Sequence, residues 1–211
     1  MGLLYYIFSL PSSIVDRVEA LPVRGDILRV FIAIDIEDPL LLSRLERVKE
    51  AVIATGAPMK PVETHNLHIT LRFIGEVPRS TVEEIAESLR RLRFRPFRVK
   101  LQGLGAFPSP TRPRVVWVGV AEGAEELARL REEIERGLAG LGIRPERQSF
   151  HPHLTLARIK GGRNIHRLSK LIDELRDAEI GEMVVDRVRL KRSILTRQGP
   201  IYETLEEVRA V

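Results

Sequence analysis

Hydrophobic and polar residues follow two different periods along this chain, and the changes of period mark its predicted elements. Residues 29–35 form a short apolar run of the length and type expected of a buried strand. Residues 41–54 carry apolar side chains at helical spacing after an Asp-Pro start. Residues 66–74 then alternate, which predicts a strand with one apolar and one polar face.

A second helix and a further strand are predicted before a proline-rich linker. Ser80 followed by Glu83 matches a capping box, so we expect a helix from Ser80 to about Leu92. Residues 97–104 predict a strand, and three prolines between residues 108 and 113 mark the linker.

The same order of elements begins again beyond the linker, at a constant offset of 85 residues. Arg29-Val30, for example, recurs as Arg114-Val115. We interpret this as an internal duplication of a βαβ-like unit that is too long for a solenoid repeat. Two pseudo-symmetric lobes, about 29–111 and 112–211, would then meet about a pseudo-two-fold axis. The predicted elements of the second lobe are a strand at 114–120, a helix at 125–138, a strand at 150–157, a helix at 165–175 and strands after residue 180.

The duplication repeats one polar motif, His-Ile-Thr-Leu at residues 68–71 and His-Leu-Thr-Leu at residues 153–156. Strand parity puts His68 and Thr70 on one face, and His153 and Thr155 on the equivalent face of the second lobe. If the two strands face each other, one cleft holds both motifs. Two imidazoles can then act as general acid and general base, while the hydroxyls bind the non-bridging oxygens of a phosphate. This chemistry suits phosphoryl transfer without a metal.

Structural and metal-binding interpretations compete with this one. A single histidine on a strand is more often structural, and we assign that role to His65 and His166. His151 and His153 form an H-x-H pair that could bind Zn²⁺. Pro152 lies between them, however, and no acidic residue or second ligand cluster is near in the sequence. We therefore expect neither a metal nor a cofactor.

Composition narrows the class of protein. The 211 residues are 44% hydrophobic and 30% charged, and no apolar run approaches the roughly 20 residues of a membrane-spanning helix. We expect a globular protein of the cytoplasm that is not bound to a membrane. The absence of cysteine excludes disulfides, thiolate catalysis and cysteine metal sites. A net charge of +5 gives weak support to a polyanionic partner.

Taken together, these blocks resemble the 2H phosphoesterases, and within them the RNA 2′,3′-cyclic phosphodiesterases, also called 2′-5′ RNA ligases. Residues 29–35 look like the opening strand of that family, and residues 66–76 and 150–158 look like its two motif blocks. The resemblance covers about residues 29–202. It implies an α+β, bilobal 2H phosphoesterase fold over residues 29–211, with antiparallel-rich sheets facing a central cleft.

The resemblance also implies roles for individual residues. His68 would act as general acid on the departing ribose O3′, and His153 as general base on water, leaving a 2′-phosphate. Thr70 and Thr155 would bind the phosphate oxygens, with Arg158 beside them. Strand parity alone puts Arg158 on the face opposite His153, so it reaches the cleft only if the strand ends or bulges there.

The expected partner is RNA with 2′,3′-cyclic phosphate ends, with tRNA fragments among the candidates, and the expected oligomeric state is a monomer. The reverse reaction would join a 5′-hydroxyl end in a 2′-5′ linkage. Two alternatives remain open from the sequence: a phosphoesterase of a small cyclic nucleotide phosphate, and a non-catalytic module that binds RNA ends. Five aromatic residues are candidates for stacking on a base, without preference among them: Phe31, Phe107, Trp117, Phe150 and Tyr202.

Residues 1–28 have no counterpart in the family pattern. We expect a loosely packed leader that catalysis does not need, and we hypothesise an upstream start in place of an initiation codon at Leu28.

Overall fold

Nine strands and four α-helices occupy the residues that the computed structural model describes, which are 27–146, 149–197 and 199–211. The first half contains β1 (Ile27–Asp35), α1 (Pro39–Ala54), β2 (Met59–Pro61), a 3₁₀ turn (Thr64–Asn66), β3 (His68–Pro78), α2 (Arg79–Arg90) and β4 (Phe97–Phe107). The second half contains β5 (Val115–Glu122), α3 (Ala124–Ala139), β6 (His153–Ile159), α4 (Ile165–Glu174), β7 (Glu179–Val185), β8 (Arg187–Leu195) and β9 (Pro200–Arg209).

The expected leader lies outside the described residues as far as position 26. Its last two residues, Ile27 and Leu28, are part of β1 and pair with the end of β3. Leu28 is a core residue with 3% of its surface exposed. The folded part that the structure describes therefore begins two residues earlier than the sequence pattern indicates.

All the strands join one sheet in the order β7-β4-β5-β6-β3-β1-β8-β9, with β2 paired to β6. Each pairing is antiparallel, and the sheet curls into a half-barrel. The two histidine-bearing strands, β3 and β6, meet at the centre, where Ile69 pairs with Leu154. They are thus neighbours in one sheet and do not face each other across a gap as expected. Pairing satisfies backbone groups that two separate edges would leave open.

The duplication is visible in the helices, because α1 and α3 both have 16 residues and begin 85 positions apart. The strands, however, are exchanged between the halves. β4 precedes the expected boundary at residue 112 but pairs with β5 and β7, while β8 and β9 extend the edge of β1. Each half of the sheet is therefore completed by strands from the other half of the chain, and the boundary does not separate the half-sheets. The α+β fold with two pseudo-symmetric halves is confirmed.

The helices pack their apolar stripes on the face of the sheet that carries Ile69 and Leu154. Helix α1 begins as predicted at Asp38, whose Oδ1 accepts a hydrogen bond from the Leu41 amide at 2.7 Å. The predicted capping box of α2 is wrong. β3 runs without a break to Pro78, which is itself the N-cap, so Ser80 already lies inside the helix and cannot cap it. The other face of the sheet is left to the polar residues of the two motifs.

Candidate active site

A β-bulge in β3 decides which side chains reach the cleft. Ile32 of β1 pairs with Arg72 and Ala33 pairs with Thr70, so Leu71 is an extra residue on β3. The bulge reverses the alternation beyond Thr70. Arg72, expected on the polar face, is 4% exposed on the core side, and Phe73, expected in the core, is 40% exposed in the cleft.

The same bulge recurs in β6 at the equivalent position. The register with β5 skips Leu156, 85 residues after Leu71, between Ala157 and Thr155. Arg158 therefore lies on the cleft face, where it lines one cavity with Thr155 and His68. The sequence made its presence in the cleft conditional on such a bulge, and the structure contains one.

The pairing of Ile69 with Leu154 fixes the arrangement of the two motifs. In an antiparallel pair, the flanking residues are opposite each other, so His68 lies beside Thr155 and Thr70 lies beside His153. The two histidines are then diagonal neighbours, with roughly 7–8 Å between their Cα atoms. This separation leaves room for one phosphate group between the imidazole rings.

The cleft consists of two cavities that share Thr70 in their walls. One, of about 410 Å³, is lined by His68, Thr70, Thr155 and Arg158 among others. The other, of about 490 Å³, contains His153 together with Thr70. The structure thus brings all five predicted site residues to one face of the β3–β6 junction.

The two imidazoles are held in the same tautomer. Nδ1 of His68 lies 2.7 Å from the carbonyl oxygen of Asn66, and Nδ1 of His153 lies 2.6 Å from that of His151. A carbonyl can only accept, so each Nδ1 carries a hydrogen and donates it. The Nε2 atoms are left for chemistry, as acceptors when the rings are neutral and as donors when they are protonated.

Burial lowers the pKa of His68 below its ordinary value. The hydrogen bond to Asn66 and the charge of Asp35 act in the opposite direction, whereas Lys191 and Arg158 lower the pKa further. Asp35 is the cross-strand partner of His68 and forms ion pairs with Arg189, at 2.8 Å, and with Lys191.

Burial also lowers the pKa of His153, opposed by the hydrogen bond to the His151 carbonyl. The charges of His151 and Arg158 add to the decrease. Because Arg158 lowers the pKa of both histidines, its guanidinium lies within electrostatic reach of both rings. A bound phosphate anion would raise both values, since it favours the charged imidazolium.

Aromatic side chains pack against each catalytic candidate. The His68 ring lies 5.1 Å from the ring of Phe31 and 5.3 Å from that of Tyr202, centroid to centroid. The His153 ring lies 5.0 Å from Phe107 and 6.1 Å from Trp117. Four of the five aromatic residues proposed for base stacking are therefore occupied in holding the imidazoles.

The remaining histidines take no part in this arrangement. His65 and His166 are exposed and line neither cavity. His151 forms a hydrogen bond through Nε2 with the Ser149 hydroxyl at 3.1 Å. Among the described residues, no group of three side chains of the metal-binding types His, Cys, Asp and Glu is placed to hold an ion.

This fold and site define a class of protein. The chain belongs to the 2′-5′ RNA ligase superfamily, whose family model matches residues 41–194. The resemblance found in the sequence is thereby confirmed.

Named relatives support the same assignment. The chain is 58% identical over 170 residues to the RNA 2′,3′-cyclic phosphodiesterase of Aeropyrum pernix, covering 81% of this chain and 97% of the relative. It is 40% identical over 184 residues to the enzyme of the same name from Methanothermobacter thermautotrophicus, covering 86% and 98%. Within the described ranges, no helix is long and apolar enough to cross a membrane.

Solved structures share the fold. TT0787 of Thermus thermophilus matches with a TM-score of 0.70 and 30% identity, over 86% of this chain and 97% of that one. Apo LigT of E. coli matches with a TM-score of 0.71 and 24% identity, over 88% and 99%.

Proposed function

We propose that this chain hydrolyses the 2′,3′-cyclic phosphate at an RNA end and leaves a 2′-phosphate. The observation that carries the proposal is the pair of imidazoles with the same tautomer, diagonal across the β3–β6 junction. A cyclic phosphate bound between them presents its phosphorus to a water on one side and its leaving oxygen on the other. Holding the reactants in this geometry removes much of the entropic barrier.

In the proposed reaction, His153 is the general base and His68 is the general acid. Nε2 of His153 takes a proton from water as the new oxygen–phosphorus bond forms. Nε2 of His68 gives a proton to O3′ as the bond between phosphorus and O3′ breaks. The carboxylate of Asp35 favours the protonated form of His68, whereas the positive groups His151 and Arg158 disfavour that of His153.

Thr70, Thr155 and Arg158 are the proposed phosphate ligands. Each hydroxyl is next to a histidine of the opposite strand, so it can donate to a non-bridging oxygen of the same phosphate. The bulge at Leu156 supports the role of Arg158, because it brings the guanidinium to that face. Charge-assisted bonds of this kind stabilise the negative charge that grows on the phosphoryl oxygens.

The proposal extends to the setting of the reaction. One chain supplies both histidines, so a monomer is sufficient, and a chain without cysteine suits the cytoplasm. RNA ends left by cleavage, tRNA fragments among them, are the proposed substrates. Attack by a 5′-hydroxyl in place of water is the same chemistry in reverse and would form a 2′-5′ linkage.

An end-group assay tests the proposal. An RNA oligonucleotide ending in a 2′,3′-cyclic phosphate is incubated with the protein, with and without EDTA, beside a mononucleotide 2′,3′-cyclic phosphate. We expect a 2′-phosphate product, an unchanged rate in EDTA and faster turnover of the oligonucleotide. A 3′-phosphate product would reverse the acid and base, and loss of turnover in EDTA would refute metal-free catalysis. Preference for the mononucleotide would make this a small-molecule phosphoesterase.

A further inference from the structure

Phe73 is the aromatic side chain with the largest exposed fraction among the described residues, at 40%. Single exposed apolar residues are common and need no explanation by themselves. Phe73, however, lines the same cavity as His68, Thr70 and Arg158. Strand parity had placed it in the core, and only the bulge at Leu71 turns it into the cleft.

The duplication gives Phe73 a meaningful counterpart, because the equivalent position in the second half is Arg158, 85 residues later. Both residues follow an identical pattern of buried and exposed positions that starts at the motif histidine. β3 and β6 are antiparallel, so Phe73 and Arg158 extend towards opposite ends of the four-residue cluster. The two ends of the cleft therefore differ in chemistry where the backbone is the same.

At one end, Arg158 pairs across the sheet with Lys60 of β2, which gives two cations. At the other end, the guanidinium of Arg29 lies over the Phe73 ring, 5.0 Å from its centroid. A ring cannot bind a phosphate, but a ring with a planar cation above it offers stacking surfaces that suit a nucleobase. Thr70 and Phe73 are roughly 7 Å apart along the sheet, about the span of one nucleoside.

We propose that Phe73, together with Arg29, binds the nucleobase of the nucleotide that carries the cyclic phosphate. The inference rests on the proposed function and adds a base subsite to it. A two-fold site would hold a lone phosphate equally from both sides. A nucleotide is not symmetric, and the replacement of a cation by a ring at position 73 matches that asymmetry. Stacking reads the ring face and not the edges, so the subsite accepts any base but requires one.

The test compares two substrates with two variants. One substrate is an oligonucleotide ending in a nucleoside 2′,3′-cyclic phosphate, and the other ends in the same cyclic phosphate on 1-deoxyribose, which has no base. Phe73→Leu should lower kcat/KM for the first roughly 10- to 100-fold, the size of one base stack, and leave the second unchanged. Phe73→Trp should retain turnover of the first within a few-fold.

Leu195→Ala is the matched control, because Leu195 is an exposed apolar residue of the same cavity. It should leave both substrates unaffected. An equal loss on both substrates in Phe73→Leu would mean a structural role, and no loss on the base-bearing substrate would mean no subsite; either result overturns the proposal.

Binding separates this inference from the proposed function. Calorimetry with adenosine 2′-phosphate and 1-deoxyribose 2-phosphate needs no turnover. Phe73→Leu should weaken only the nucleotide, by a similar factor. If wild-type protein hydrolyses neither cyclic phosphate, the proposed function fails, and the nucleotide affinities still decide the subsite: unchanged affinity in Phe73→Leu overturns it.

Discussion

Ile69 of β3 pairs with Leu154 of β6 at the centre of the sheet, and these two residues are equivalent positions of the duplication, 85 residues apart. The pseudo-two-fold axis therefore passes through a single cross-strand pair. Each strand presents a histidine on one side of that pair and a threonine on the other. The axis thus converts one short motif into a four-residue cluster, and neither half of the chain contains the cluster alone.

The histidines should be needed equally, because each handles one proton of the same reaction. We expect His68→Ala and His153→Ala to lower kcat by roughly 10²–10⁴ apiece on a cyclic-phosphate oligonucleotide. His65→Ala and His166→Ala are matched controls, exposed and outside both cavities, and should retain full activity. A module that only binds RNA ends would instead lose affinity modestly in the His68 and His153 variants and show no turnover to lose.

Much of this cluster could be predicted from the sequence because it depends on local patterns. The duplicated motif names His68 and His153, and the constant offset places them in equivalent strands. The helices α1, α3 and α4 follow from apolar spacing, since side chains three or four apart share a helix face. These features require no knowledge of which strand pairs with which.

The bulges and the exchange of strands could not be predicted, because both depend on partners distant in the chain. Parity assumes a regular strand, so it assigned Phe73 to the core and Arg72 to the cleft. The register of β3 against β1 reverses both assignments. A signal was available in retrospect, because the duplication aligns Phe73 with Arg158, whose place in the cleft itself required a bulge. β4 likewise follows α2 in the chain but is hydrogen-bonded to β5 and β7.

The pH dependence of the reaction should differ between free and bound enzyme. Both histidines have a pKa below the ordinary value of about 6.5, chiefly through burial. The active form carries one proton on the pair, so the maximum of kcat/KM, which reports the free enzyme, should lie below pH 6.5. The profile of kcat reports the complex. Its maximum should move to higher pH, because the phosphate anion raises both pKa values. Coincident profiles, or a kcat/KM maximum above pH 7, would contradict this account.

Arg158 should act on affinity and on the same titration. Removing its charge in Arg158→Ala loses bonds to a charged phosphate, so we expect kcat/KM to fall roughly 10- to 100-fold. Arg158→Lys should recover part of this, because it restores the charge without the fork of donors. Since Arg158 lowers the pKa of both histidines, the kcat/KM maximum of Arg158→Ala should also shift to higher pH.

Arg163→Ala provides the control for the loss of one positive charge, because Arg163 is exposed on the segment after β6. It should alter neither kcat/KM nor the pH profile at moderate salt. If both arginine variants lose activity equally, and the loss disappears as the salt concentration rises, Arg158 contributes only to the general field of the protein.

Arg72 provides a test of the bulge through stability. The bulge turns this side chain into the core side of the sheet, where its Nε lies 2.8 Å from Oε1 of Glu135 on α3 and its Nη1 donates to the carbonyl of Phe73 at 2.8 Å. A buried charge that loses its partner is strongly destabilising. We expect Glu135→Gln to lower the free energy of unfolding by about 3 kcal/mol in urea titration.

The double variant Arg72→Met/Glu135→Leu should recover most of that loss, because apolar residues of similar volume often replace a buried ion pair at little cost. Glu126→Gln on the same helix is the control, since its pair with Arg129 is exposed and should change stability by less than about 1 kcal/mol. Had the strand been regular, Arg72 would lie in the solvated cleft, and the Glu135 and Glu126 variants would cost equally little. A cost confined to Glu135 therefore reports the same reversal of facing that brings Phe73 into the cleft.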